Sequence, residues 1–141
     1  MEGARVLAGP QKAGALRQAI LDPLVSWKKH FTSAEVAGKA IIGEATCTRV
    51  DFTPKEGETV SYFFDQETHL ILGVEESIDG NLVETRLKDY REVDGIKLPF
   101  SITVETPQFS FEVTVESIEH NVEIPDSKFD LPSQIQALVS Q

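Results

Sequence analysis

A chain of 141 residues, 40% of them hydrophobic and 26% charged, has the size and composition of one soluble globular domain. No run approaches the roughly 18 uninterrupted apolar residues that a membrane-spanning helix needs. Thirteen basic against twenty-three acidic residues give a formal charge of −10, a field that repels nucleic acid and anionic lipid surfaces, and the densest basic cluster, Lys28-Lys29-His30, is too small to reverse it.

The opening MEGARVLAGPQKAG has no continuous apolar block and does not read as a secretory signal. Over residues 13–30 Leu16, Ile20, Leu24 and Trp27 recur at helical spacing, so this segment is expected to form a helix with one apolar face. Pro23 lacks an amide donor and crowds the preceding turn, which predicts a break near Asp22-Pro23 and a restart with Asp22 as N-cap.

From Thr32 onward the period falls to two, and β-branched and aromatic residues alternate with charged ones. Strands are expected near 35–43, 44–54, 59–65, 70–78, 81–93, 96–105 and 109–121. The pairs Asp79-Gly80 and Asp94-Gly95 suit two-residue type I′ turns, which need positive φ. Connections this short leave no room for crossover helices, so the sheet is an antiparallel meander.

In FSFEVTVE, Phe109, Phe111, Val113 and Val115 alternate with polar residues, which sets one greasy and one wet face. After Val115 the apolar phase moves to Ile118 and Val122, predicting a bulge or bend near Glu116-Ser117. The chain then leaves through Pro125 and Pro132 into a loose or weakly helical end. The whole, 1–141, reads as one mainly β domain of α+β type, with a helical segment at 13–30, a curved antiparallel sheet at 33–122 and a tail at 123–141.

Chemistry-bearing motifs are sparse. Cys47, alone, forms no internal disulfide and reads as a small buried strand residue. His30, His69 and His120 show no metal-ligand spacing, and HExxH, paired CxxC, GxGxxG, GxxxxGK[ST] and GxSxG are all absent, so neither metal nor cofactor is expected. The carboxylates Asp51, Glu84, Glu105, Glu112 and Glu116 fall on polar strand phases or near turns, as solvated faces do. The aromatics Tyr62, Phe63, Phe64, Tyr90, Phe100, Phe109 and Phe111 either fill a core or line an apolar sheet face that admits an acyl chain. Composition alone favours the core, but a face of six or seven strands exceeds what ~18 helical residues can cover, which raises the second reading.

Three segments carry a family resemblance: Phe64-Asp65 followed by Thr68; Tyr90, Val93, Asp94, Gly95, Ile96, Leu98 and Pro99; and Asn121, Ile124, Asp126 or Ser127, Phe129 and Pro132. In this order they resemble the outer-membrane lipoprotein carrier and receptor proteins (LolA/LolB-like), in particular the divergent lipoprotein-sorting-like relatives, over residues 36–132. The resemblance implies an incomplete antiparallel β-barrel with a helical lid, a hollow interior for lipid acyl chains and a place in the periplasm or cell envelope. It also shows a difference, since the carriers have several more strands ahead of the matched region. The expected function is a non-enzymatic module holding an apolar ligand on a lining of Trp27, Leu72, Val74, Ile102, Val104, Phe109, Phe111 and Val113. The alternative is an interaction module whose sheet is closed by its own helix or by homodimerisation.

Overall fold

A computed structural model describes residues 7–19, 24–78, 80–132 and 135–136. Two short helices, α1 (Gly9–Gln18) and α2 (Trp27–His30), precede seven strands: β1 (Phe31–Ile42), β2 (Ala45–Pro54), β3 (Val60–Asp65), β4 (Ile71–Ile78), β5 (Asn81–Val93), β6 (Ile96–Glu105) and β7 (Ser110–Thr114). Each strand pairs antiparallel with the next, giving the sheet order β1-β2-β3-β4-β5-β6-β7. Among the described residues β1 and β7 do not meet, so the sheet is open, in the manner of a half-barrel.

Turn chemistry sets this meander. At Asp94-Gly95 both residues have positive φ, 52° and 81°, and Val93 pairs with Ile96 across them. That is the type I′ geometry whose twist matches its strands, and glycine meets the second positive φ without a Cβ penalty. Ile78 likewise pairs with Asn81 around Gly80, whose φ is 78°, while Asp79 lies outside the described residues. Asp65 closes the next turn: its carboxylate accepts the Thr68 hydroxyl and the amides of Glu67 and Thr68. This contact is the physical content of the Phe-Asp…Thr pattern.

Three register shifts adjust the faces, the first between Phe31 and Ser33 at the start of β1. Between Val36 and Gly38 the register against β2 slips by one, and Gly38 takes a φ of 138° that side-chain-bearing residues rarely adopt. Between β3 and β4 Phe63 faces Gly73 but Phe64 faces Ile71, which leaves Leu72 as the extra residue.

Three expectations are corrected at the ends of the chain. Among the described residues the helical segment is not one apolar stripe: α1 ends at Gln18, Leu16 is 59% exposed, and of the expected face Leu24 and Trp27 pack on the sheet. The proposed cap at Asp22-Pro23, with Ile20, lies outside the described residues. The first strand begins at Phe31 rather than 35, because Phe31 is drawn into the buried cluster with Phe52 and Val60. The last strand does not bulge at Glu116-Ser117. Its ladder ends at Thr114 opposite Ser101, just before β6 runs through Pro99, which has no N–H to give. The chain nonetheless keeps its course beside β6, with the Val115 amide donating to Phe100 O at 2.8 Å and His120 Nδ1 2.9 Å from Asp94 Oδ2. The expected loose end at residues 134–141 lies almost wholly outside the described residues.

Candidate functional site

Residues directly opposite in an antiparallel ladder share a face, so the register assigns side chains to sides. One row crosses the entire sheet: Val36, Val50, Tyr62, Val74, Thr85, Val104 and Phe111. It is apolar but for one threonine. Beside it run Ala34, Phe52 and Val60 at one end and Leu87, Ile102 and Val113 at the other.

One residue along each strand, on the opposite side, lies a second row: Glu35, Asp51, Ser61, Glu75, Glu84, Glu105 and Ser110. Period-two alternation therefore produces two faces of contrasting chemistry across all seven strands.

The apolar face is unevenly covered. At the β1–β3 corner Phe31, Phe52 and Val60 are buried, with Leu24, Trp27, Tyr62, Phe64 and Val74 packed around them. Trp27 meets Phe52 edge-on with centroids 5.9 Å apart, and Phe52 meets Tyr62 likewise at 5.3 Å. Away from this corner the cover thins: Phe111 is 47% and Val113 43% exposed, and Val36 on the β1 edge is 74% exposed. Phe109 stacks on Phe111 at 5.9 Å and is exposed as well.

Of the expected lining, the register brings Val74, Ile102, Val104, Phe111 and Val113 onto one face, with Phe109 stacked beside Phe111 and Trp27 in the covered corner. Leu72 is the exception, since as the bulge residue it has no ladder partner and Ile71 stands opposite Phe64 in its place. A bulge of this kind leaves no mark on alternation, which is why the pairing of Ile71 with Phe64 was not legible.

The wet face is held by charge pairs. Arg49 donates to both carboxylate oxygens of Asp51, at 2.8 and 3.2 Å, and the Ser61 hydroxyl donates to the same group at 2.8 Å. These bonds, Arg49's foremost, hold the Asp51 carboxyl below its ordinary value of 3.8. Arg86 Nη2 reaches Glu84 at 2.8 Å and Glu75 at 3.3 Å, bridging two like charges that sit directly opposite each other. Cys47 is fully buried, and burial pushes its thiol up, as does the Asp65 charge, so it is a packing residue rather than an activated nucleophile. Among the described residues no group of three or more His, Cys, Asp or Glu side chains is placed to hold a metal ion.

A second feature escaped the sequence. Gly9, Lys12, Ala13 and Leu16 of α1 face Lys29 and His30 of α2 and Lys55 and Glu56 of the β2–β3 connection across an open cleft of about 610 Å³. The Lys55 amide donates to His30 O at 3.4 Å, which ties that connection to the end of α2. Lys12 and Lys55 thus join Lys29 only through tertiary structure.

No family model, curated protein or solved structure matches this chain. No helix among the described residues is long and apolar enough to cross a membrane.

Proposed function

We propose that the protein is a non-enzymatic binding module of the bacterial cell envelope that holds an apolar ligand, such as a lipid or lipoprotein acyl chain, on the apolar face of its open sheet. One observation carries the reading: the row from Val36 to Phe111 spans every strand, yet the helical segment covers it only around Phe52. Exposed apolar surface of this extent is costly in water, and shielding it stabilises by about 25 cal/mol per Å². Trp27 and Leu24 act as a partial lid.

The resemblance to the lipoprotein carriers supports the same reading and supplies the periplasmic location. Binding driven by area has little directional content, so the sheet accepts a range of acyl chains. Organic extraction of the purified protein followed by mass spectrometry tests it: co-purifying lipid is expected, and a protein that neither carries nor takes up lipid would refute it.

The open edge of β1 favours a second reading. Among the described residues the strand from Phe31 to Ile42 is paired on one side only, with β2, and Val36 and Ile41 are exposed along it. Edges of this length invite a further strand, and a second copy could supply it. Light scattering separates the two, since a lipid-free dimer supports the second reading and a lipid-loaded monomer the first.

A further inference from the structure

The cleft between α1 and α2 concentrates positive charge in a chain whose formal charge is −10. Lys12, Lys29 and Lys55 come from three separate segments, and none forms an ion pair among the described residues. Three arginines of the sheet are engaged: Arg49 with Asp51, Arg86 with Glu75 and Glu84, Arg91 with Asp89. Glu56, which also lines the cleft, is engaged in a contact of its own. Three lysines lining one cleft of an acidic protein favour an anion in the space they border.

The wall of the cleft is apolar. Leu16 is largely exposed, and with Ala13 and Gly9 it contributes apolar lining on the α1 side. The position relative to the sheet matters as much. Trp27, in the first position of α2, packs on the buried cluster, while Lys29 and His30 at its other end line the cleft. One four-residue helix therefore separates the apolar face from the basic space.

We infer that this cleft holds the anionic head of a single-chain amphiphile, its carboxylate among Lys12, Lys29 and Lys55 and its first methylenes against Ala13 and Leu16. The inference rests on the apolar-ligand reading and adds the headgroup that reading left open. Lysine suits the role, because a compact ammonium on a flexible stem meets a carboxylate from any direction. A neutral head finds no partner there, and a cationic one is repelled.

The test compares dodecanoate, dodecyl maltoside and dodecyltrimethylammonium by titration calorimetry below their micelle concentrations. Two triple variants are measured beside the wild type: Lys12→Gln/Lys29→Gln/Lys55→Gln in the cleft, and Lys88→Gln/Lys97→Gln/Lys128→Gln outside its lining, with the same change in net charge. All six lysines are exposed, so folding is preserved. The cleft variant is expected to lose about tenfold in dodecanoate affinity, the combined effect of three solvent-exposed charge contacts, and to bind dodecyl maltoside as the wild type does. The second variant is expected to retain dodecanoate.

Equal losses in the two variants, or no loss in the cleft variant, would overturn the headgroup assignment while leaving the apolar-ligand reading intact if dodecyl maltoside still binds. Failure of all three amphiphiles to bind the wild type would overturn both.

Discussion

Gly73 of β4 lies directly opposite Arg86 of β5, and the missing side chain at Gly73 is what lets the guanidinium lie across the strand onto Phe63. A Cβ at Gly73 would sit 2.9 Å from Arg86 Nη1 and 2.8 Å from Ile42 Cδ1. Nη1 itself is shielded from water and has no hydrogen-bond partner among the described residues, so it is held by packing over the Phe63 ring. Gly73→Val is therefore expected to destabilise the fold by about 1–3 kcal/mol through overpacking. In an Arg86→Ala background the cost should shrink, with a coupling of about 0.5–3 kcal/mol in a denaturation double-mutant cycle. Strictly additive costs would show that the two residues do not share this space.

The Asp94-Gly95 turn makes a sharper demand. With φ positive at both positions, Gly95→Ala places a Cβ in left-handed backbone and is expected to cost about 1–2 kcal/mol. Asp94→Asn, which tolerates the same φ, should stay within about 0.5 kcal/mol. Urea unfolding of the two variants checks the order, and equal costs would contradict a type I′ requirement.

Acid should weaken the fold through Asp51 and Asp65. Asp51 is held below its ordinary 3.8 by Arg49 and then Ser61, and Asp65 by the Thr68 hydroxyl and then the Glu67 amide. A carboxyl depressed in the folded state contributes stability that is present above its unfolded value and lost as pH falls through the folded one. Stability is thus expected to decline on acidification below about pH 3.8, and Asp51→Asn and Asp65→Asn should each flatten that decline. An unchanged acid limb in both variants would contradict it.

At the alkaline end Tyr90 is the sensitive group. Its hydroxyl donates to Ile71 O, and burial pushes its phenol up to about 12. A raised phenol favours the protonated folded state, so its contribution is complete below 10.0 and is lost as pH rises toward about 12. Tyr90→Phe is expected to cost about 0.5–1.5 kcal/mol at neutral pH and to remove that alkaline loss. Ultraviolet titration of the phenol against wild type reads both, and a Tyr90 titrating near 10 would refute the burial.

The strands were legible because three local signals agreed. Alternation gave the faces, the Gly-bearing turns gave the breaks, and β-branched and aromatic residues gave the type, so β3, β5 and β6 fall within a residue of their expected bounds. Where the fold departs, the cause is tertiary. Phe31 extends β1 because it is buried with Phe52, which no local pattern around Lys28-Lys29-His30 announces. The shift at Ile118 reads as a bulge or bend near Glu116-Ser117, but the ladder stops earlier, at Thr114, and the Val115 amide still reaches Phe100.

Of the candidate site, the side-chain parity of Ile102, Val104, Phe111 and Val113 was readable from period two alone. The displacement of Leu72 was not, since a bulge in β4 depends on its pairing with β3. The basic cleft was invisible for a similar reason, because Lys12 and Lys55 are 43 residues apart in sequence and α1 with the β2–β3 connection brings them to the same space.

The most direct test of an apolar ligand on the sheet is the binding of a fluorescent acyl probe to wild type, Phe111→Asp and Glu112→Ala. Phe111 and Glu112 are neighbours on β7 but face opposite sides of the sheet, and both are exposed enough to replace without unfolding. Phe111→Asp should weaken binding by roughly tenfold or more, as expected when an aromatic contact of about 1.5–3 kcal/mol gives way to a charge, and Glu112→Ala should leave it unchanged. Equal affinity in wild type and Phe111→Asp would contradict the binding face.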